Sequence, residues 1–260
     1  MSVISTWKKL QIRYRRDTAR ALFRKPLSIT LKQPLVSFTF DDFPRSALTV
    51  GGAILHRYGL LGTYYVALGL LGSESGPSGP SCTLHDLEEL LSEGHELGSH
   101  TFGHCHAGNT DAKQFERSIL ENDEVLEQLI PGSKFESFSY PISEPRPATK
   151  WKAAKRFSSC RAGGQTLNTG TADLNQLSAY FLEKALNNIQ PIKNLIDRNR
   201  ALNGWVIFAT HDVAQEHGPY GCTPELFDAV VRYSVESGAR ILPITQAIDI
   251  IRCSNRGHIA

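Results

Sequence analysis

Two hydropathy patterns alternate along this chain. Short, unbroken apolar runs read as buried strands. Between them, longer stretches repeat apolar residues every three or four positions, as one-sided helices do. Leu35-Val36-Ser37-Phe38-Thr39-Phe40 is the first strand, followed by 62–68, 95–100, 136–140 and 158–162. Residues 179–185 are expected to form another. Trp205-Val206-Ile207-Phe208-Ala209-Thr210 is the clearest buried run, and 240–243 the last. Helices are predicted over 46–58, 83–93, 111–130, 147–157, 191–203, 223–237 and 245–252. Thr83 is placed to cap the second, with Gly94 as its stop, and Pro131-Gly132 closes the third. Residues 69–80, rich in Gly, Ser and Pro, and 163–175 read as loops, the first as a connector rather than a lid.

Strands that alternate with helices form parallel βαβ units, hence a barrel or a doubly wound sheet. No linker divides the body, and 260 residues is an ordinary length for one α/β barrel. The predicted architecture is a single α/β domain over 33–260 behind a basic arm, residues 1–32.

Charge separates those two parts. The arm carries Lys8, Lys9, Arg13, Arg15, Arg16, Arg20, Arg24, Lys25 and Lys32 against Asp17 alone, while the rest of the chain is net acidic. The overall charge of +2 argues against a dedicated nucleic-acid binder. Residues 5–24 form a candidate helix in which Trp7, Leu10, Ile12, Tyr14, Leu22 and Phe23 interleave with Arg and Lys. It reads either as an interfacial helix on an anionic membrane or as an arm packed along the body. The five cysteines are odd in number and far apart, which fits reduced thiols. The N-terminus lacks the apolar stretch of a secretory signal, so a cytoplasmic protein is expected. The sequence is silent on oligomeric state.

The chemistry gathers at strand ends. Asp41-Asp42 follows the first strand, His100 and His104 follow the third, and His211-Asp212 follows the strand at 205–210. In a parallel barrel the C-terminal strand ends form the face where catalysis collects. Asp and His suit a catalytic divalent site with an open position. Asp42, His100 and His104 are the expected ligands, Asp41 the general base, and His211 the acid that protonates a leaving amine. Asp212 is a candidate to orient His211. Tyr140 is a candidate donor to an oxyanion, through its hydroxyl or its backbone N–H. Cys105 and His106, beside the second histidine ligand, are assigned to packing.

This set resembles the polysaccharide deacetylases of carbohydrate esterase family 4. Thr39-Phe40-Asp41-Asp42 is similar to that family's first motif, and Gly94 to His104 to its second. Gly62-Thr63-Tyr64-Tyr65-Val66 resembles the strand between them, and Thr210-His211-Asp212 the last motif. The resemblance runs in order from about residue 35 to 250. It implies a distorted (β/α)7 barrel, one divalent ion (Zn²⁺, with Co²⁺ or Ni²⁺ as alternatives) and hydrolysis of an N-acetyl group on an amino sugar. It also implies that Tyr140 and Pro141 lie at the substrate.

Three positions depart from the family pattern. The third motif has an Arg that holds the base, and Ser139 stands there, leaving Arg146 or Arg161 to reach Asp41 from another loop. Ala209 replaces a Leu that lines the acetyl pocket. The fourth motif's Asp is missing, with Asp173 as a stand-in. The expected function is therefore a metal-dependent deacetylase of an N-acetylated glycan or glycan precursor. A hydrolase of a non-sugar amide, or a barrel that binds carbohydrate without turnover, are the alternatives.

Overall fold

The computed structural model describes residue 14 and residues 17–142, 144–186 and 188–256. Most of the candidate helix at 5–24 therefore lies outside the described residues.

The strands, in chain order, are β1 Pro26–Ile29, β2 Leu35–Phe40, β3 Thr63–Val66, β4 Glu96–Ser99, β5 Ser137–Ser139, β6 Ser159–Ala162, β7 Gly170–Asp173, β8 Leu177–Ser178, β9 Tyr180–Phe181, β10 Trp205–Thr210 and β11 Arg240–Ile241. The α-helices are α1 Ala53–Arg57, α2 Leu84–Ser92, α3 Ala112–Leu129, α4 Pro147–Ala154, α5 Gln190–Leu202, α6 Pro224–Glu236 and α7 Ile244–Arg256. A wide-turn π segment, Ala47–Gly52, runs into α1. No helix among the described residues is long and apolar enough to cross a membrane.

Helix starts follow the side-chain chemistry. Thr83 and Asp86 exchange hydrogen bonds in a capping box at α2, Asp111 caps α3, and Thr223 caps α6 ahead of Pro224. Each cap satisfies backbone N–H groups that have no partner inside the helix and is worth about 1 kcal/mol.

The main sheet runs β8-β6-β5-β4-β3-β2-β10-β9, with every pairing parallel. Its two edge strands are consecutive in the chain, separated by Ala179 alone. One extended segment, 177–181, therefore pairs first with β6 and then with β10, closing the sheet into a seven-position barrel. This is the predicted fold class, with one difference. Residues 179–185 do not form one strand, because Leu182–Ala185 turns into a 3-10 helix once β9 has paired.

A second departure is the antiparallel pair β1–β7, Pro26↔Asp173 to Ile29↔Gly170, where a loop was expected. Short strands whose partners lie far away in sequence leave little periodicity to read. The pair ties the end of the arm to the body. Asp173 anchors it further by accepting from Lys25 N at 2.9 Å and from the buried Lys150 Nζ at 2.6 Å. Asp173 thus serves this junction and does not substitute for a fourth-motif acid.

Alternation along β10 divides the core. Val206 and Phe208 join a large cluster with helix residues such as Phe115, Ile119, Ile192 and Phe227. Trp205, Ile207 and Ala209 join a second cluster with Ile244, Ala247, Ile248 and Ile251 of α7. Burying each such side chain contributes roughly 1.5–3 kcal/mol. Helix α7 closes one end of the barrel: Ile244 N reaches Thr63 Oγ1 and Thr245 N reaches Glu96, the first residues of β3 and β4. The opposite end, where the strands finish, is left for chemistry.

Candidate active site

The turns after β2, β4 and β5 carry residues whose backbone must bend to present them. Asp42, Phe43, Thr101, His104 and Ile142 all have positive φ, at 60°, 41°, 61°, 49° and 66°. Non-glycine residues avoid this region at a cost of about 1 kcal/mol or more each, and such strain collects at functional sites. Two of the three expected metal ligands are in this group.

Asp42, His100 and His104 converge. One potential ligand atom from each lies within 4.8 Å of the others. His104 Nε2 is 2.9 Å and His100 Nε2 3.4 Å from Asp42 Oδ1. Neither meets that oxygen with hydrogen-bond geometry, so Oδ1 is buried without a hydrogen-bond donor. The other carboxylate oxygen, Oδ2, accepts from Ser78 Oγ at 2.8 Å. His100 Nδ1 lies 2.8 Å from the Ser139 carbonyl. Only a protonated Nδ1 can bond a carbonyl, so Nε2 of the neutral ring turns a lone pair toward Asp42. Two imidazoles and one orphaned carboxylate oxygen, all facing one point, fit a Zn²⁺-like ion.

Asp41 is buried beside this cluster. Its Oδ1 accepts from Arg161 Nη2 and, at 3.2 Å, from Ser139 Oγ. Burial raises this carboxyl, but the Arg161 charge and hydrogen bond, together with the His100 and His211 rings, outweigh it and leave it lowered. Arg161 stands on β6 directly opposite Ser139 in the β5–β6 register. The guanidinium sits between the rings of Tyr65 and Phe181, 5.1 and 5.3 Å from their centroids. Strands β6 and β2 are four places apart in the sheet, so this pair forms only across the interior of a closed barrel.

Arg161 thus does what the sequence assigned to one of two arginines, although from a strand rather than a loop. Arg146 does not reach Asp41, because its Nη2 donates to the Thr110 carbonyl at 2.5 Å.

His211 points Nε2 inward, 3.9 Å from Asp42 Oδ2. Its Nδ1 bonds the Tyr220 carbonyl at 3.1 Å. Asp212 does not orient it; adjacent side chains at a strand end point apart. Asp212 instead accepts from Gly218 N at 2.7 Å and shapes the loop that delivers Tyr220. Tyr140 supplies no oxyanion donor: its hydroxyl donates to Asn175 O and its N–H to Arg161 O. Pro141 is buried at the end of β5, its carbonyl accepting from Ala107 N at 3.2 Å.

Glu183 was not anticipated from sequence. Parallel pairing of Ala209 with Phe181 places it level with His211, two residues beyond each. Its Oε2 is buried without a donor, and burial pushes its carboxyl upward.

Known proteins resemble this chain. A family profile described as "Polysaccharide deacetylase" matches residues 28–158. A peptidoglycan-N-acetylglucosamine deacetylase of Bacillus cereus is 25% identical over 99 residues, a stretch spanning 38% of this chain and 42% of that protein. Three solved structures share the fold. The chitin deacetylase of Colletotrichum lindemuthianum superposes with a TM-score of 0.59 at 16% identity, covering 85% of this chain and 89% of that one. A family 4 acetyl xylan esterase of Clostridium thermocellum, in complex with a cobalt ion, gives 0.58 at 22%, covering 83% and 91%. A family 4 pseudoenzyme of Bacillus anthracis gives 0.57 at 12%, covering 84% and 66%. The profile spans half of the chain and the barrel carries its motifs at the strand ends: the chain belongs to the polysaccharide deacetylase family.

Proposed function

We propose that this protein is a metal-dependent amide hydrolase that removes acetyl groups from an N-acetylated amino-sugar glycan. The observation that carries the reading is the convergence of a base, an acid and a three-ligand donor set on one end of the barrel. A divalent ion held by Asp42, His100 and His104, most simply Zn²⁺, would polarise the acyl carbonyl and acidify a water molecule. Asp41 takes a proton from the attacking water. Both of its bonds fall on Oδ1, which leaves Oδ2 for that proton. His211, fixed by the Tyr220 carbonyl, delivers a proton from Nε2 to the leaving amine when its ring is an imidazolium. Two similar proteins are named as a peptidoglycan-N-acetylglucosamine deacetylase, of Bacillus cereus, and a chitin deacetylase, of Colletotrichum lindemuthianum, which supports an N-acetylated sugar substrate.

The rival reading, a binding barrel without turnover, drew its support from the missing Arg at Ser139. Arg161 fills that need from the neighbouring strand, and a module that only binds sugar requires neither base nor acid.

The test begins with metal stoichiometry, for wild type and for Asp42→Ala prepared without added metal. About one ion per chain, lost in the variant, is expected. Acetate release from chitooligosaccharides by the loaded wild type should follow. Metal uptake with sugar binding and no acetate released would return the barrel to the binding reading.

A further inference from the structure

The loop after β3 reaches back to the metal-ligand carboxylate. Ser78 is 3% exposed, and its hydroxyl donates to Asp42 Oδ2 at 2.8 Å from a segment 36 residues away. The loop is fastened for this. Arg45 N bonds Pro80 O at 2.9 Å, Cys82 N bonds Phe43 O at 3.0 Å, and Pro44 bridges Ser81, so its return leg lies along the turn that carries Asp41 and Asp42. Within the loop, Ser81 N bonds Ser73 O and Gly72 N bonds Cys82 O, each at 2.8 Å. Gly76 is pressed so closely that a Cβ there would stand 2.5 Å from Ser81 Oγ and 2.6 Å from Gly79 O, and Gly79 takes φ +100°. Such packing suits a strut rather than a mobile lid.

We propose that Ser78 is a positioning residue for the metal centre. A carboxylate on a short, strained turn can rotate about its Cβ–Cγ bond. Ser78 commits Oδ2 to the protein and so turns Oδ1 toward His100 and His104, the orientation in which one oxygen joins two imidazoles. Bonds of this kind behind a ligand commonly change metal affinity by about 10–100-fold when removed. This inference rests on the metal reading above but concerns a residue that reading does not use.

The experiment is a competition titration of Zn²⁺ against a chromophoric chelator on metal-free wild type, Ser78→Ala and Ser78→Thr, with thermal unfolding of each apo-protein alongside. The expected result is a ~10–100-fold weaker Kd for Ser78→Ala. Ser78→Thr, which keeps the hydroxyl, should stay near wild type, and the apo-protein midpoints should be nearly equal. The visible Co²⁺ spectrum should shift in Ser78→Ala alone. If Ser78→Ala does not fold, Ser78→Gly, which also lacks the hydroxyl and adds no metal ligand, takes its place in the titration with the same expected loss. Equal affinities for Ser78→Ala and wild type would overturn the proposal while leaving the metal site intact. Equal losses in the Ala and Thr variants would overturn it too, since packing and not the hydroxyl would then be responsible. A wild type that takes up no ion removes the metal reading itself, and this one with it.

Discussion

Asp41 and Glu96 are a buried and a half-buried carboxylate of one barrel, held in opposite ways at its opposite ends. Asp41 directly follows β2 and faces a guanidinium, which together with the His100 and His211 rings lowers its carboxyl below the ordinary value despite burial. Glu96 is the first residue of β4. Among the described residues it accepts from neutral groups, among them the hydroxyls of Ser137 and Thr245 and the Thr245 backbone N–H, and burial leaves its carboxyl raised. Neutral donors can satisfy a carboxylate's lone pairs without matching its charge. The barrel thus holds a carboxyl lowered below its ordinary value at the end where the strands finish, and one raised above it where α7 is held. That is the division between catalytic and stabilising ends expected of parallel barrels.

The largest effects should come from breaking the charged end. Asp41→Asn removes the proposed proton acceptor, and acetate release should fall by about 10²–10⁴-fold. Arg161→Met removes the group that fixes Asp41, and activity should fall by roughly 10²-fold through a misplaced base. Each single variant also leaves one buried charge without its partner, at a cost of about 3–5 kcal/mol in unfolding free energy. The double variant, with a neutral side chain at both positions, should be inactive yet more stable than either single. Strict additivity of the two losses would show that the pair is not coupled.

How much of this was readable follows from where each partner lies in sequence. The Asp42, His100 and His104 cluster was legible because each member belongs to a local pattern: Asp42 closes a continuous strand, and His100 and His104 lie four residues apart after another. The barrel was legible from the alternation of such runs with capped helices. The Asp41–Arg161 pair spans 120 residues and depends on strand register and barrel closure, neither of which has a local signature. One signal did point to it. Arg161 sits between Cys160 and Ala162 in a strand otherwise fit for burial, and a buried Arg requires an acid. The split segment 177–181, the β1–β7 pair and the Ser78 strut were hidden for the same reason: their partners are distant and their own stretches are short.

A smaller effect tests whether the catalytic end is catalytic throughout. Tyr140 follows β5 within that face, yet its hydroxyl bonds Asn175 O at 3.1 Å. Tyr140→Phe should cost about 1 kcal/mol of stability for one buried hydrogen bond, with kcat unchanged. A selective fall in kcat would put its hydroxyl back in the site.

The smallest effect is expected at the other end. Glu96→Gln keeps an oxygen for Thr245 and presents an amide to Ser137, whose hydroxyl can accept, so stability near neutral pH should change by no more than about 1 kcal/mol and activity not at all. Its pH dependence is the informative part. A carboxyl raised in the folded state binds its proton more tightly folded than unfolded. Its destabilising contribution is therefore absent at low pH, grows as pH rises from the ordinary value of 4.5 through the raised one, and is complete above that. Glu96→Gln lacks this contribution, so urea unfolding across that window should show the variant gaining on wild type as pH rises. A difference that stays flat would mean that Glu96 ionises as freely in the folded protein as in the unfolded chain. The contrast with Asp41 would then rest on the guanidinium alone.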